Sequence, residues 1–526
     1  MAIAAGLDAS GNGNQGALRN LDTVDRQTAP LPYRSNANGD WTTSATWLNN
    51  TVQTLPNALS IVDGVTPINW NIVETSHNIL INKDNVLGRD RAVLGLMINS
   101  NTLTIDGSQF DGDTGNGLTV THYLRLNGKI DLNGESQLVQ TTGSDLDVTS
   151  SGLLEKDQQG TADRYTYNYW SSPVGISNIT TNNNSYTLPN VMRDGSNPAT
   201  PIALIFLTSG YNGSTGTPKR IADYWIWKFA NQPNGSYSSW QHVRSTGTLL
   251  AGEGFTMKGP GSGTIVDRQN YTFIGKPNNG NINLNITAGN DYLVGNPYPS
   301  AIDANKFILD NGPTIAGAGS TTGTLYFWEH WGGASHNLGD YQGGYATYNL
   351  SGGVPSASFG TNDPDVGTGG TPTKIPYRYI PVSQGFFVVA ENTGVINFNN
   401  SQRFYRKETT GTSVFVRSSQ TTDYNSDPEN SDTRMKFRFG FNSVNTIHRQ
   451  LLLTIDDDTT IGYDWAYDGK LNEDQIDDMY WMIDGEKYNI QARNPIDINS
   501  VVPLGIHVDN AGQNKIMIDH LENVPD

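Results

Sequence analysis

Apolar and polar residues alternate in short runs along residues 36–160. Asn-Gly pairs such as Asn127-Gly128 separate these runs. Alternation with a period of two predicts β-strands, because successive side chains of a strand point to opposite faces. Strands this short, with Asn, Gly and Asp at the corners, are typical of a β-solenoid whose coils stack around a thin core. A β-sandwich is the alternative for this region.

Residues 161–410 contain a duplication. GEGFTMKG at 252–259 resembles SQGFFVVA at 383–390, and YWSSPVG at 169–175 resembles LVGNPYPSAID at 293–303. Gly254 and Gly385 are 131 residues apart, and the two matching prolines, Pro173 and Pro297, are 124 residues apart. Offsets this similar predict two tandem β-modules, each of ordinary domain size.

The two predicted modules cover residues 161–280 and 281–410. The aromatic strands YWIWKF (224–229) and LYFWEHW (325–331) are expected in equivalent positions of the two modules. Alternation resumes after them, which predicts a C-terminal β-sandwich domain at 433–526.

Two polar segments are predicted to be linkers, at 1–35 and 411–432. Only the stretch 472–483 (NEDQIDDMYWMI) suggests a helix, and we prefer a strand there. The expected fold is all-β and multidomain, with an N-terminal β-solenoid-like region followed by tandem β-sandwich-like modules.

Composition narrows the setting in which the chain works. Its 526 residues contain no cysteine, which excludes disulfides and thiolate metal sites and suits an exported bacterial protein. The formal net charge of −18 repels phosphate backbones and anionic membranes, so neither nucleic acid nor direct membrane insertion is expected. No apolar run is long enough to span a bilayer.

Several strings resemble modules of cell-surface proteins that the type IX system of Bacteroidetes, especially flavobacteria, exports. They include YWSSPVG, LVGNPYPSAID, IPVSQGFFVVA (380–390), INFNNSQR (396–403) and RQLLLTIDDDTTIGYDWAYDG (449–469). The resemblance covers residues 40–526 and implies export, β-architecture and an extracellular, cell-surface location, either attached to the outer membrane or released. The signal peptide and the C-terminal sorting domain of such proteins do not occur in this sequence. We therefore interpret the chain as part of a longer protein.

Motifs for catalysis are not evident. The sequence has no G-x-S-x-G and no H-E-x-x-H, and its eight histidines are scattered. The one local group, Glu329-His330 with His336, is a weak candidate for a metal site. We therefore expect a protein that is not an enzyme.

Calcium is the most credible cofactor, because it prefers carboxylate, amide and carbonyl oxygens in loops. Two acidic stretches qualify weakly: Asp106 with Asp111 and Asp113, and Asn362 with Asp363 and Asp365. The best candidate loop follows the strand LLLTI and contains Asp456, Asp457, Asp458, Asp464 and Asp468. Of these, Asp456, Asp458, Asp464 and Asp468 are the expected ligands.

Exposed aromatic rings are candidates for stacking on sugars. The expected glycan contacts are Trp240, Trp328 and Trp331, whereas Trp225 and Trp227 share a strand face with Phe229 and are expected in the core. The exporting phylum often glycosylates an Asp-Ser/Thr triplet, so Thr23 and Thr459 are candidate glycosylation sites.

The function expected from the sequence is that of a non-catalytic adhesin or structural stalk on a bacterial surface, with glycans or other surface proteins as partners. One alternative is the accessory, carbohydrate-binding region of a secreted carbohydrate-active enzyme. Another is a surface filament subunit that self-associates through strand pairing.

Overall fold

A computed structural model describes residues 32–48, 55–82, 91–108, 114–314, 317–358, 374–408, 413, 415–416 and 432–525. Strands dominate, and the α-helices of these residues are two short ones, Leu188–Val191 and Ala304–Asp310. The prediction of an all-β, multidomain fold with a solenoid-like N-terminal region is confirmed. Short 3₁₀ turns occur at Ser44–Thr46, Asp223–Trp225, Tyr237–Ser239, Leu338–Asp340 and Asn400–Gln402.

The N-terminal region is built from two parallel sheets whose strands alternate along the chain, as coils of a solenoid require. The first solenoid sheet contains Tyr33–Arg34, Ile72–Thr75, Arg91–Ile98, Gly117–Leu126 and Asp145–Leu146, and Gln137–Gln140 also pairs with Gly117–Leu126. The second contains Gly39–Asp40, Ile79–Ile81, Thr102–Ile105, Lys129–Leu132 and Leu153–Thr161.

The corners of the coils stack closely enough to require glycine. A β-carbon on Gly128 would lie 2.4 Å from the carbonyl oxygen of Asn101 in the neighbouring coil. One coil further on, a β-carbon on Gly152 would lie 2.1 Å from the carbonyl oxygen of Gly128. The Asn-Gly pair at 127–128 is therefore a stacked corner of the solenoid rather than a hairpin turn.

The second solenoid sheet continues into the first module. Leu153–Thr161 pairs antiparallel with Arg268–Pro277, so the predicted boundary at residue 160 lies inside one sheet. One apolar core runs from the solenoid into this module and includes Phe273. Further strands that complete the sheet are Met192–Asp194, Ile202–Ala203 and Val174–Gly175.

The two modules pair their matching strands in the same register. Trp170 is opposite Phe255 in the first module, and Val294 is opposite Phe386 in the second. Trp170 and Val294 are 124 residues apart, and Phe255 and Phe386 are 131 apart, which are the offsets of the sequence duplication. The match ends further along, because residues 395–396 lie in a strand and the corresponding residues 264–265 do not.

The modules also contact each other symmetrically. The backbone N–H of Ser171 donates to the carbonyl of Ser383 (2.8 Å), and the N–H of Gly295 donates to the carbonyl of Gly252 (3.0 Å). Ser171 corresponds to Gly295 in the duplication, and Gly252 corresponds to Ser383, so the two bonds are equivalent. The contact is therefore isologous, like that of a two-fold dimer. We call it the junction. Bridges between Trp170 and Gln384 and between Glu253 and Val294 repeat the same relation.

The remaining strands of the modules form one larger sheet and several small ones. The larger one, here the cleft sheet, contains in order Gln232–Pro233, Asn290–Gly295, Gly385–Ala390, Thr321–Gly332, Gln342–Asn349 and Gly352–Val354. The pairs are Tyr167–Trp170 with Phe255–Lys258, Ile205–Leu207 with Arg220–Ala222, Trp227–Lys228 with Gln241–His242, and Ile282–Ile286 with Gly394–Phe398. A three-stranded sheet joins Tyr379–Ile380, Ala301–Asp303 and Arg403–Phe404.

The C-terminal region forms one further sheet. Its order is Leu504–His507, Asp478–Ile483, Glu486–Arg493, His448–Ile455, Lys436–Asn442 and Lys515–Glu522, with Gly469–Lys470 also paired to Glu486–Arg493. The stretch 472–483, which alone suggested a helix, contains the strand Asp478–Ile483 instead. Within the described residues no helix is long and apolar enough to cross a membrane.

The predicted linkers lie largely outside the described residues. Where they are described, Tyr33–Arg34 forms the first strand of the solenoid. Phe415 and Val416 are buried, and the ring of Phe415 lies 5.0 Å from that of Trp170 at the junction. These parts of the two polar segments therefore belong to the folded core.

Glu253 of the junction offers a test of this packing. Its buried carboxylate accepts hydrogen bonds from Lys228 Nζ, from the Tyr292 hydroxyl (2.8 Å) and from the Leu250 N–H (2.9 Å). Glu253→Ala leaves these donors without their acceptor and should lower the free energy of unfolding by about 3 kcal/mol. Urea unfolding followed by tryptophan fluorescence measures the change.

The matched control is Glu486→Ala, because Glu486 pairs with Lys470 at the surface and both side chains are 58% exposed. That variant should unfold as the unmodified chain does. Equal losses in the two variants would contradict the central role given to the junction.

Candidate functional site

An aromatic cavity of about 190 Å³ lies where the two modules meet. We call it the cleft. Its lining residues are Tyr167, Tyr169, Trp227, Tyr237, Trp240, Thr256, Trp328, Leu338, Tyr341 and Tyr345. The first six come from the first module and the last four from the second. Neither module could form the cleft alone.

The first module supplies one wall through strand alternation. Tyr167 and Tyr169 are two residues apart on one strand, so both point to the same side. Thr256 is opposite Tyr169 on the paired strand, and its hydroxyl accepts the N–H of Trp227 (3.2 Å) and donates to the carbonyl of Trp225 (2.8 Å). This hydroxyl therefore fixes the aromatic strand 224–229 against the cleft.

Trp227, Tyr237 and Trp240 complete the wall that the first module supplies. Trp227 is stacked on His242 with ring centroids 3.9 Å apart, which holds the indole in place. Tyr237 is 58% exposed at the cleft mouth. Trp240 packs edge-on against Phe387 of the second module, with centroids 5.8 Å apart.

The second module supplies the facing wall. Trp328 and Tyr345 are directly opposite each other on neighbouring strands, with ring centroids 5.1 Å apart. Trp328 also stacks nearly parallel on Tyr169 of the first module, with an interplanar angle of 14°. The hydroxyls of Tyr169 and Tyr345 are hydrogen-bonded at 3.1 Å. Ring stacking and this hydrogen bond thus hold the two walls together.

Two indole N–H groups of the cleft lining, those of Trp227 and Trp328, are buried and have no hydrogen-bond partner among the described residues. A buried donor left unpaired costs free energy, and such groups are uncommon in proteins. No charged side chain is among the described residues that line the cleft. Its polar groups are those donors, the tyrosine hydroxyls and Thr256.

Lys258 lies behind the cleft. Its side chain is 2% exposed, and Nζ donates to the hydroxyl oxygen of Tyr341 (2.7 Å) and to Nδ1 of His336 (3.3 Å). The ammonium also lies 3.9 Å from the ring centroid of Trp225 and 4.5 Å from that of Tyr167, which are cation–π contacts. Burial lowers the pKa of Lys258 to about 7. One cation thus supports two phenols of the cleft from behind.

The candidate metal group Glu329, His330 and His336 is not assembled as one. His330 accepts the N–H of Tyr167 through Nδ1 (3.2 Å) and donates to the carbonyl of Gly332 (2.8 Å), and burial lowers its pKa to about 3. His336 stacks on Trp225 and donates to Asn212 (2.7 Å). A carboxylate oxygen of Glu329 accepts the N–H of Lys374. His330 also contacts the ring of Tyr341, with ring centroids 5.0 Å apart, so this histidine supports the cleft.

The C-terminal region supports the strand that carries Tyr345. Glu473 accepts the backbone N–H of Tyr345 (3.3 Å), and burial raises the pKa of this carboxyl to about 7. The Tyr326 hydroxyl, one strand further, donates to the carbonyl of Lys470 (2.9 Å). The C-terminal region is therefore docked against the strands Thr321–Gly332 and Gln342–Asn349.

The structure brings together two of the three predicted glycan contacts, Trp240 and Trp328. Trp331 is 2% exposed and does not line the cleft. Trp225 and Phe229 are buried, as expected for a core face, but Trp227 of the same strand lines the cleft. The alternation argument therefore misplaced Trp227, because the strand covers only Trp227–Lys228 and a 3₁₀ turn precedes it.

The acidic loop at 456–468 is described in full. Asp456 is paired with Arg434, Asp464 accepts the N–H of Thr460, and Asp468 accepts the N–H groups of Asp464 (2.7 Å) and Ala492 (2.9 Å). Burial raises the pKa of Asp468 to about 7. Among the described residues no group of three or more His, Asp or Glu side chains is placed to hold a metal ion. Calcium binding through Asp458 and its neighbours stays a prediction.

The other predicted sites are only partly described. Thr23, Asp111, Asp113, Asn362, Asp363 and Asp365 lie outside the described residues. Thr459 is buried, and its hydroxyl donates to the carbonyl of Asp456 (2.7 Å). A buried, hydrogen-bonded hydroxyl is a poor acceptor for a glycan, although glycosylation itself stays untested.

The sequence reasoning missed the tyrosines and Lys258. The segment YTYNYW at 165–170 places Tyr165, Tyr167 and Tyr169 at a spacing of two, which is the signal of one aromatic strand face. Lys258 is opposite Tyr167 on the paired strand. A single lysine at the end of the apolar run GFTM gives no sign of burial, because the rings around it come from distant segments.

The lowered pKa of Lys258 predicts a pH dependence of stability. Between pH 7 and 10.5 the unfolded chain binds a proton at this lysine that the folded chain does not, so its contribution makes stability rise with pH. From pH 7.5 to 9.5 the slope should be at most about 1.4 kcal/mol per pH unit steeper in the unmodified chain than in Lys258→Met. Urea titrations at several pH values measure it.

The control is Lys515→Met, because Lys515 is exposed and changes its surroundings little on unfolding. This variant should keep the slope of the unmodified chain. A Lys258→Met variant with that same slope would show that Lys258 does not lose its proton on folding.

Comparison with known proteins gives one result. A family model described as "Domain of unknown function (DUF8693)" matches residues 208–525, more than half of the chain. The match includes the cleft residues from Trp227 to Tyr345 and the C-terminal sheet, but not Tyr167 and Tyr169. No curated protein and no solved structure matches. The chain is therefore a member of the DUF8693 family.

Proposed function

We propose that the chain is a non-catalytic, glycan-binding part of an extracellular adhesin, and that the cleft is the glycan site. The observation that carries the proposal is the convergence of three tryptophans and five tyrosines from two modules on one open cavity. Aromatic faces form apolar contacts with the C–H groups of sugar rings, and nearby hydroxyls pair with sugar hydroxyls. Monomeric proteins seldom leave so many aromatic rings around a cavity without a binding role.

The polar groups of the cleft suit a ligand rich in hydroxyls. The tyrosine hydroxyls donate and accept, and Trp227 and Trp328 have indole N–H groups without a protein acceptor. Sugar oxygens are acceptors of the required kind, and a small adjustment of either ring on binding would expose its donor.

The cleft offers little for catalysis. Glycoside hydrolysis requires two carboxyl groups beside the scissile bond. Among the residues that the structure describes, the cleft lining contains neither a carboxylate nor a histidine. Glu473 and Lys258, which both titrate near neutral pH, are not among the described residues that line the cleft, and Lys258 is almost fully buried. Binding without turnover is the function that this chemistry supports.

The setting follows from the sequence. A net charge of −18, the absence of cysteine and the resemblance to proteins exported by the type IX system support a location on the surface of a Gram-negative bacterium. In this setting the solenoid and the C-terminal sheet act as a scaffold that presents the cleft to surface glycans. The same cleft would also serve an accessory region of a secreted carbohydrate-active enzyme.

A glycan array with the purified chain, followed by calorimetry on the best ligand, tests the proposal. Trp240→Ala and Trp328→Ala should each weaken binding about five- to thirtyfold, since each removes a stacking face worth about 1–2 kcal/mol. Trp70→Ala is the matched control, because Trp70 is 49% exposed on the solenoid, away from the cleft.

Circular dichroism must first show that the variants are folded. An equal loss in Trp70→Ala, or full affinity in both cleft variants, would place the glycan elsewhere. An array without any binder would reject the glycan-binding role.

A second function, that of a filament subunit, is supported by the edges of the C-terminal sheet. No described strand pairs with the outer edges of Leu504–His507 and Lys515–Glu522. These strands expose apolar side chains at Leu504, Ile506, Ile516, Ile518 and Leu521. Exposed apolar edge strands favour pairing with another chain.

If this pairing occurs, light scattering should show assembly that increases with protein concentration. A lysine at an edge opposes pairing, so Ile518→Lys should abolish assembly. The control is Ile498→Lys, because Ile498 is 99% exposed but lies in a loop. A chain that stays monomeric at all concentrations would rule out the filament.

A further inference from the structure

We infer that the cleft binds one terminal, uncharged pyranose ring of a glycan, rather than an internal stretch of chain or a charged ligand. The inference rests on the proposed function and specifies its ligand. Size, ring geometry and charge each support it independently.

The cavity has room for one sugar ring. Its volume is about 190 Å³. This is below the roughly 300–1,000 Å³ typical of sites for drug-sized ligands. A single pyranose with its hydroxyls is of this size, and two linked rings are not.

The rings of the cleft form a corner instead of a flat strip. Trp328 is nearly parallel to Tyr169, whereas Trp240 is inclined to Tyr169 by 64°. Tyr341 and Leu338 of the second module lie around the same cavity. A linear glycan can pass over a flat platform at any point, but a corner of this kind receives the end of a chain.

Charge disfavours an acidic sugar. The faces of aromatic rings carry partial negative charge, and the part of the cleft lining that the structure describes has no cationic side chain to pair with a carboxylate. Lys258, the nearest cation, already directs its hydrogen bonds to Tyr341 and His336 and is covered by rings.

Lys258 also disfavours a cationic ligand. Aromatic cages commonly bind quaternary ammonium groups, so this class is the natural competitor. Here the ammonium of Lys258 lies 4.5 Å from the ring centroid of Tyr167 and 4.7 Å from that of Tyr341, both of which line the cleft. The faces of these two rings are therefore already in contact with the Lys258 amino group, and a cationic ligand would compete with it for them.

The bond from Lys258 orients one hydroxyl toward a neutral ligand. Because Lys258 Nζ donates to the Tyr341 oxygen (2.7 Å), the hydroxyl hydrogen of Tyr341 is directed to another acceptor. A sugar hydroxyl provides such an acceptor without introducing charge.

Saturation-transfer NMR and calorimetry with defined probes test the inference on the whole chain. The neutral probes are the methyl glycosides of glucose, galactose, mannose and N-acetylglucosamine, with their di- to tetrasaccharides. The charged probes are methyl glucuronide, methyl galacturonide and choline. We expect at least one neutral methyl glycoside to bind, its longer homologues to bind within about threefold, and the charged probes to bind at least tenfold more weakly.

Other outcomes separate the inference from the function on which it rests. Affinity that rises more than tenfold with chain length would show an extended site and overturn the single ring. A uronide or choline that binds more tightly than the neutral glycosides would overturn the charge argument. Affinity that rises with chain length, or tighter binding of a uronide, would still show that the chain binds glycans. If no saccharide binds, the proposed function is rejected as well.

Discussion

Two backbone hydrogen bonds, from Ser171 to Ser383 and from Gly295 to Gly252, hold the duplicated modules in a two-fold arrangement. The residues that make them follow the repeat, so each module uses the same surface to contact the other. In an isologous contact of this kind, each backbone interaction occurs twice, once in each direction. Around it the side chains differ: Glu253 binds Lys228 and Tyr292, whereas Gln384, its counterpart, accepts the N–H of Val416 (2.6 Å).

The cleft exists because the side chains of the two modules differ, although their backbones contact each other symmetrically. Tyr169 and Thr256 of the first module correspond to Leu293 and Phe387 of the second, and these four side chains pack at one interface. Leu293 and Phe387 are packed in one apolar cluster with Tyr169. The tyrosines and tryptophans of the cleft leave an open cavity. The junction thus stabilises the pair of modules, and the side-chain differences between the modules form the cleft.

The fold was largely predictable, because alternation and turn residues are local signals. The solenoid strands from Ile79–Ile81 to Lys129–Leu132 follow directly from their apolar spacing, and the offset of 131 between Gly254 and Gly385 anticipates the matching registers. The limits of each region were harder to predict. Phe415 lies in a polar, acidic segment but is buried beside Trp170, and only tertiary contact reveals this.

Only part of the cleft could be predicted, because local sequence patterns do not show which side chains meet in the folded chain. Trp240 and Trp328 were identified because tryptophans are few and conspicuous, whereas Trp331, three residues away, is buried by packing that no local pattern encodes. The tyrosines of the cleft are common residues, and their convergence depends on the junction. The burial of Lys258 could not be predicted from the sequence, since the rings around it, Trp225, Tyr167 and Tyr341, come from three separate segments.

A crystal structure of the chain with a bound neutral oligosaccharide tests the central claim most directly. The account predicts one terminal sugar ring in the corner between Trp240 and Trp328, with the rest of the glycan leaving past Tyr237 into solvent. A glycan bound on the solenoid or the C-terminal sheet, with the aromatic cavity unoccupied, would contradict it.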